Sequence, residues 1–263
     1  MRFLLSVLLT PAAVLLSCTY VLAGIKTKTI EYKQGNTVLE GYLAYDDVIK
    51  VKRPGVLVVH EWNGLQSYVK KRTEQLAKLG YVAFAADIYG KGIRPKSIEE
   101  SGKQATIYRQ DRKLLRKRAK AGLQVLQNYP LTDAKRIAAI GYCFGGGTVL
   151  ELARSGVNIA GVVSFHGNLD TPDPNDAKNI QAKVLILHGA DDPFVPEQQV
   201  QGFEREMRLG NVDWQLISYG STLHSFTNPN AKNDPKGAVY NSRADQRSWQ
   251  AMRQFFAEIF AKV

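Results

Sequence analysis

Cysteine is scarce in this sequence of 263 residues, which contains only Cys18 and Cys143. A single pair is too few for a small scaffold stapled by disulfides. The sequence also lacks the Cys-x-x-Cys and His-x-x-x-His spacings that hold a metal ion from one structural element. We therefore expect no disulfide framework and no metal site, so any role of Cys143 must come from its own thiol.

Long apolar runs are absent except at the N-terminus, where a short positive start precedes FLLSVLLTPAAVLLS and a Val-x-Ala pattern ends at Ala23. This layout predicts a secretory signal peptide in residues 1–23, cleaved after Ala23. Residues 24–263 would then form one exported domain, periplasmic or secreted, without a stable membrane span. An uncleaved anchor and lipidation of Cys18 are the alternatives. Cleavage would leave Cys143 as an unpaired thiol in an oxidising compartment.

Acidic residues are outnumbered, with 24 Asp and Glu against 35 Lys and Arg, and the net charge is +11. Much of the excess positive charge lies in one segment, where basic residues recur at helical spacing opposite a stripe of apolar residues. These basic residues are Arg109, Lys113, Arg116, Lys117 and Lys120. We interpret residues 109–120 as the solvated face of a helix; the alternative is a docking surface for an anionic component of the cell envelope. No nucleic-acid-binding motif accompanies these charges, so we expect no nucleic-acid partner.

No repeat, low-complexity segment or long linker divides the sequence, which is typical of a single domain. Two alternating segments, KTIEYK and TVLEGYLAY, predict an antiparallel hairpin turned at Gly35 and Asn36. Short apolar runs follow, of the kind found in parallel strands buried on both faces. They are GVLVVH, YVAFAAD, RIAAIGY, IAGVVSFH, KVLILHG and WQLISYG.

Amphipathic stretches alternate with these runs and predict the helices that cover the sheet. They lie at residues 68–79, 103–127, 145–154, 197–208 and 244–260. The sequence therefore predicts an α/β fold, with a mainly parallel sheet, helices on both faces and a short antiparallel N-terminal edge.

Cys143 follows the predicted strand RIAAIGY and precedes glycines that open a helix. The pattern Gly141-x-Cys143-x-Gly145 matches a nucleophile elbow in which sulfur replaces the usual serine oxygen. Small residues are needed there because the tight turn brings these positions against neighbouring backbone. A helix N-terminus favours a thiolate, and the N–H of Phe144 is placed to meet an oxyanion. We therefore predict that Cys143 is a nucleophile rather than a buried structural cysteine.

All four histidines follow predicted strands, at the edge of the sheet where open α/β folds bind ligands. A thiol nucleophile needs a base and an orienting acid, which follow it along an α/β-hydrolase chain in the order acid, histidine. TLHSF offers His224 as the base, and HGADDPFVP offers Asp192 as the acid, with Asp191 as a turn residue. His166 and His188 are competing bases that we interpret as pocket-lining or packed histidines.

The motifs GYCFGGG, GADDPFVP, HSF and VVHEWNG together resemble the dienelactone hydrolase family of α/β hydrolases, over essentially the whole chain after the predicted signal peptide. The resemblance implies an α/β-hydrolase fold with a catalytic triad of Cys143, Asp192 and His224. It also implies that Glu61 lies beside the resting thiol and helps to control when the thiolate enters the triad. The backbone N–H of Trp62 would be the second oxyanion donor. By spacing alone, Glu61 would be an exposed loop acid.

The sequence departs from this family pattern at the residues that would bind the substrate. Members that cleave dienelactone hold the substrate carboxylate with two arginines, one after a D-x-Y segment and one four residues after the catalytic histidine. Here these positions offer Lys91 and Asn228, with Tyr89 and His166 as further pocket residues and Arg94 nearby. Lysine lacks the planar, two-pronged grip of arginine, and asparagine has no charge. We therefore expect a substrate other than dienelactone.

Together these patterns predict a hydrolase that cleaves a small ester or lactone through an acyl-enzyme on Cys143, without a metal or organic cofactor. One rival hypothesis is a non-catalytic binding protein that uses residues 109–120. A second is a redox role for Cys143, although a peroxide-reducing thiol usually works with a resolving thiol, which signal cleavage would remove.

Overall fold

The computed structural model describes residues 24–232 and 237–261. The predicted signal peptide, residues 1–23, lies outside the described residues. Within the described ranges, no helix is both long and apolar enough to cross a membrane.

Eight strands form a single sheet at the centre of the fold. They are β1 (Ile25–Gln34), β2 (Thr37–Asp46), β3 (Arg53–Val59), β4 (Val82–Ala86), β5 (Thr132–Tyr142), β6 (Gly161–Phe165), β7 (Lys183–Gly189) and β8 (Trp214–Tyr219). Their order across the sheet is β1-β2-β4-β3-β5-β6-β7-β8. β1 and β2 are antiparallel and joined at Gly35 and Asn36, whereas β3 to β8 run parallel. This arrangement confirms the predicted fold class.

Helices cover both faces of the sheet. They are α1 (Ser67–Lys78), α2 (Ile98–Gln110), α3 (Arg112–Asn128), α4 (Phe144–Arg154), α5 (Glu197–Leu209) and α6 (Ser242–Ile259), with a short 3-10 helix at Pro174–Asn179. Side chains of one strand alternate between two apolar cores: in β3, Leu57 belongs to one core and Val58 to the other. Helices α2 to α5 contribute to the first core, and α1 and α6 to the second. The parallel strands are therefore buried on both sides, as their continuous apolar runs indicate.

The single helix predicted over residues 103–127 is wrong, because two helices occupy this region. Asp111 separates α2 from α3, with φ of −110° and ψ of 80°, and its side chain accepts a hydrogen bond from the N–H of Leu114 at 2.9 Å. Helix α2 also begins earlier than predicted, where Ser97 accepts from the N–H of Glu100 at 3.1 Å. Ser97 and Asp111 are both N-caps: at each helix start, the short polar side chain accepts a hydrogen bond from a backbone amide that would otherwise be free.

The basic face predicted over residues 109–120 is only partly solvated. Arg112 and Arg116 bend towards acidic side chains, with Arg112 2.6 Å from Asp170 and Arg116 2.8 Å from Glu151. The exposed part consists of Arg109 and the lysines at positions 113, 117 and 120. This face therefore serves partly to join α3 to α4 and to the loop that follows β6.

Candidate active site

Cys143 lies at the junction of β5 and α4, as the elbow pattern predicts. Its φ of 54° and ψ of −116° place a non-glycine residue in a left-handed, strained conformation. The flanking glycines make the turn possible: a Cβ at Gly141 would lie 2.0 Å from the carbonyl oxygen of Gly145, and one at Gly145 would lie 2.3 Å from that of Val59. Cys143 is 7% exposed, so the nucleophile candidate is largely buried.

His224 lies between Cys143 and Asp192. Its Nδ1 is 2.7 Å from Oδ2 of Asp192, and Cys143 is close enough for its charge to affect the pKa of the ring. Burial lowers the pKa of His224, but the charge of Cys143 and the hydrogen bond to Asp192 outweigh burial and raise that pKa to about 10. Asp192 is 4% exposed and also accepts from the N–H of Phe194 at 2.9 Å, whereas Asp191 is exposed. The structure thus brings the three predicted residues together and sets Asp191 apart from them.

Glu61 lies in the same site, just beyond the end of β3. It is 5% exposed, so its assignment by spacing alone to an exposed loop is wrong. Asn228 donates a hydrogen bond from Nδ2 to Oε2 of Glu61 at 2.7 Å. Burial raises the pKa of Glu61 to about 7, and the Asn228 hydrogen bond together with the charges of His224 and Arg72 opposes the rise. The carboxyl group therefore changes charge near neutral pH, within the electrostatic reach of the His224 ring.

The two amides predicted as oxyanion donors belong to Trp62 and Phe144, the residues that directly follow Glu61 and Cys143. Trp62 belongs to a turn closed by a hydrogen bond from the N–H of Gly64 to the carbonyl oxygen of Glu61 at 3.1 Å. Phe144 is the first residue of α4. Among the described residues, neither the Trp62 nor the Phe144 N–H donates a hydrogen bond to a loop, cap or side-chain acceptor. Free backbone amides have the chemistry needed to bind an anionic oxygen, and this role of Trp62 and Phe144 stays a prediction.

The four predicted substrate ligands all have partners within the protein. Besides Asn228, Tyr89 donates its hydroxyl to the Trp62 carbonyl oxygen at 2.8 Å, and Lys91 forms an exposed ion pair with Glu31. Both ring nitrogens of His166 are engaged, and this residue has no exposed surface. Substrate contact by these residues stays a prediction.

Arg94, the nearby candidate to replace a family arginine, is also engaged. It lies 3.4 Å from Glu40 and 3.7 Å from Asp87. The side chains near the thiol are instead aromatic: the Phe144 ring lies 5.5 Å from Tyr89, and the Phe194 ring lies 5.2 Å from His224. Aromatic rings therefore lie on two sides of the polar triad residues.

Sequence reasoning missed the residues that support the site from behind. Thr227 is fully buried and within hydrogen-bond distance of both Tyr68 and His166. Arg72, on α1, donates to the carbonyl oxygen of Thr227 at 2.7 Å. The HSFT run that contains Thr227 is visible in the sequence, but its partner Tyr68 is 159 residues away.

Known proteins resemble this chain over nearly its whole described length. A profile of the dienelactone hydrolase family matches residues 39–260. A solved structure named m3DLH is 41% identical, with a TM-score of 0.87, over 90% of this chain and 99% of its own. Another, a dienelactone hydrolase-like promiscuous phosphotriesterase from metagenomic libraries, is 39% identical with a TM-score of 0.87 over the same shares. A protein of Synechocystis sp., provisionally named carboxymethylenebutenolidase, is 27% identical over 88% of this chain and 96% of its own.

Proposed function

The chain belongs to the dienelactone hydrolase family and is a hydrolase of carboxylic esters or lactones, and on that premise we propose that Cys143, His224 and Asp192 carry its chemistry. One observation supports the proposal most strongly: the buried His224 ring is held at Nδ1 by Asp192, 2.7 Å away, and lies within electrostatic reach of Cys143. An imidazole held in this way takes the thiol proton and keeps its orientation while it is charged.

In the proposed reaction, the Cys143 thiolate attacks the carbonyl carbon and the π electrons move onto the oxygen. The N–H groups of Trp62 and Phe144 stabilise that oxyanion. When the intermediate collapses, the bond to the leaving alcohol breaks, the alcohol takes its proton from the His224 imidazolium, and a thioester remains on Cys143. Water then attacks the thioester while His224 accepts a proton, and the carboxylic acid leaves as the thiolate forms again.

Glu61 affects the relative stability of the charged forms of Cys143 and His224. In its ionised form it stabilises the His224 imidazolium, and in its protonated form it places no negative charge beside the thiolate. Asn228, which donates to Glu61 at 2.7 Å, holds the carboxyl group in either state without adding a charge. The site therefore alternates between two charge states near the pH at which Glu61 titrates.

We propose that the substrate is an uncharged ester or lactone. Lys91 pairs with Glu31, Asn228 pairs with Glu61, and Arg94 lies beside Asp87. A substrate carboxylate would therefore have to displace an existing partner to gain a charged hydrogen bond, and a buried carboxylate without one is costly. The aromatic rings of Phe144, Tyr89 and Phe194 near the site favour an apolar acyl or alkoxy group.

Uncharged phosphotriesters are a second candidate substrate class. The relative named as a promiscuous phosphotriesterase is 39% identical over 90% of this chain. A triester has no ionised oxygen, so the same argument from charge applies to it. Hydrolysis of paraoxon by the purified protein, lost in Cys143→Ala, supports this activity; no hydrolysis above the Cys143→Ala rate removes it.

The triad is tested with p-nitrophenyl acetate and two neighbouring aspartates. We expect Asp192→Asn to lower kcat/KM by about 100-fold or more, because the amide cannot stabilise an imidazolium. Asp191→Asn is the matched control, since Asp191 is exposed, and should stay within about twofold of the wild-type value. Full activity in Cys143→Ala, or equal losses in the two aspartate variants, would refute the assignment.

We also propose that the protein is exported and acts in the periplasm or outside the cell. The support is the N-terminal sequence, with its positive start, apolar run and Val-x-Ala pattern ending at Ala23. The mass of the protein purified from its host, measured after iodoacetamide labelling, tests this. A chain that begins at Gly24 with one labelled thiol agrees with export, and an intact Met1 with two labelled thiols contradicts it.

A further inference from the structure

His166 is a fully buried histidine directly behind the nucleophile. It follows β6, with φ of 40° and no exposed surface. The backbone N–H of Cys143 donates to its Nδ1 at 3.1 Å, so that nitrogen has no proton. The ring proton therefore resides on Nε2, which donates to Oγ1 of Thr227 at 2.7 Å. Burial, followed by the charge of His224, lowers the pKa of His166 well below its ordinary value, so the ring is neutral.

Thr227 belongs to the loop that carries the base, three residues after His224, and is also fully buried. Its hydroxyl oxygen lies 2.6 Å from the Tyr68 hydroxyl, and its carbonyl oxygen accepts from Arg72 at 2.7 Å. Arg72 is in turn ion-paired with Asp245 of α6. Thr227 is thus fixed from one side by α1 and from the other by His166.

We propose that His166 and Thr227 are positioning residues that hold the strained Cys143 main chain in register with the loop of the base His224. The inference rests on the proposed function, in which Cys143 is the nucleophile and His224 the base. Both residues are fully buried, and this role needs no contact between them and the substrate. They act through the one N–H that Cys143 offers, which is shared between the Phe165 carbonyl oxygen at 3.0 Å and the His166 ring.

The His166–Thr227 hydrogen bond matters because the two segments that it links, the elbow and the loop of His224, lie at different parts of the sheet edge. The elbow is continuous with β5, whereas the base loop follows β8, two strands beyond β6 in the sheet. A hydrogen bond between sulfur and imidazole weakens steeply as distance and angle change. A buried link between the two segments therefore affects the thiol–imidazole pair more than it affects the substrate pocket.

Two substitutions at Thr227 distinguish the positioning of Cys143 against His224 from general structural support of the loop. Thr227→Val removes the hydroxyl with little change of shape and leaves the His166 Nε2–H without an acceptor, whereas Thr227→Ser keeps the hydroxyl. Thr222→Val is the matched control: Thr222 is buried in the same loop, and its hydroxyl donates to the Gly220 carbonyl oxygen at 3.1 Å, away from the elbow.

Two readouts are measured on the mature protein: kinetics with p-nitrophenyl acetate, and the pH dependence of the alkylation of Cys143 by iodoacetamide. Alkylation reports the thiolate without any substrate. The titratable or charged groups around the thiol–imidazole pair, shared by the Thr227 and Thr222 variants, are Glu61 after β3, Tyr89 after β4, His166 after β6, His188 in β7, Asp192 after β7 and Arg72 on α1.

We expect Thr227→Val to lower kcat about tenfold, the effect of one buried hydrogen bond, while KM changes by less than about twofold. The midpoint of the alkylation profile should move upward by about half a pH unit or more, because a looser imidazole stabilises the thiolate less. Thr227→Ser should restore both values, and Thr222→Val should leave the alkylation profile unchanged.

A wild-type kcat and alkylation profile in Thr227→Val overturns the inference, as does an equal shift in Thr222→Val or a failure of Thr227→Ser to restore the values. If Thr227→Val does not fold, His166→Asn replaces it. Asparagine tolerates the left-handed φ of this position but is too short to reach Thr227, and it should give the same loss in kcat and the same shift. Retention of ester hydrolysis after complete alkylation of Cys143 would instead overturn the proposed function.

Discussion

Replacement of Glu61 by glutamine should stabilise the fold, and the gain should grow as the pH rises. Burial raises the pKa of Glu61 from 4.5 to about 7. The folded protein therefore holds the proton more tightly than the unfolded chain does. Stability from this group is fully present below pH 4.5 and is lost as the pH rises through about 7. Glutamine does not titrate, so it escapes this loss.

The magnitude follows from the two pKa values. Between pH 5 and pH 8, ionisation of Glu61 removes about 2.5 kcal/mol from the free energy of unfolding, at about 1.4 kcal/mol for each tenfold difference in proton affinity. In a domain of this size, 1 kcal/mol corresponds to about 2–4 °C in Tm. The Tm difference between Glu61→Gln and the wild type should therefore be about 5–10 °C larger at pH 8 than at pH 5.

The assay is thermal unfolding of both proteins at the two pH values, followed by circular dichroism. Glu204→Gln is the control: Glu204 lies on the surface of α5, 3.0 Å from Arg208, and its replacement should change Tm equally at both pH values. If Glu61→Gln also changes Tm by the same amount at pH 5 and pH 8, the carboxyl group does not change its charge in this range and the reasoning is wrong.

Three further substitutions test the elbow, the substrate assignment and the buried charges. Gly145→Ala places a Cβ 2.3 Å from the Val59 carbonyl oxygen and should lower the free energy of unfolding in urea by about 3 kcal/mol or more, whereas Gly102→Ala, with open space around its Cβ, should raise it by about 0.5–1 kcal/mol. Asn228→Arg adds a cation beside Glu61 and should raise kcat/KM for an ester with a free carboxylate about tenfold relative to p-nitrophenyl acetate; an unchanged ratio contradicts the assignment. Arg154→Ala leaves Glu206 buried without its partner, and Glu151 with Arg116 alone, and should cost about 3–5 kcal/mol in the same urea assay, while Arg208→Ala, at an exposed pair, should cost less than about 1 kcal/mol.

The sequence predicted the sheet well because its strands are buried on both faces. Continuous apolar runs such as those of β3 and β7 leave few alternatives in a chain with turn residues between them. The elbow was equally visible, since Gly141 and Gly145 are demanded by backbone contacts that no side chain can relieve. In both cases the pattern is a short, continuous stretch of sequence, and its cause is steric.

The division of α2 from α3 was missed because the apolar and basic periodicity continues across it. Asp111 is one polar residue in a charged segment, and only the hydrogen bond to Leu114 shows that it caps a helix. The role of His166 was missed for a different reason. Its partners Cys143 and Thr227 are 23 and 61 residues away, and a single histidine before a glycine has no periodicity that would connect them.

The recessed position of Cys143 has a consequence for the lifetime of the thiol. With 7% of its surface exposed, Cys143 offers little area to the disulfide of another folded protein, and exchange requires that disulfide to reach the sulfur directly. We therefore expect exchange with folded proteins to be slow. A small ester or thiol reagent needs far less exposed area, so the same burial should leave the thiol available to small molecules.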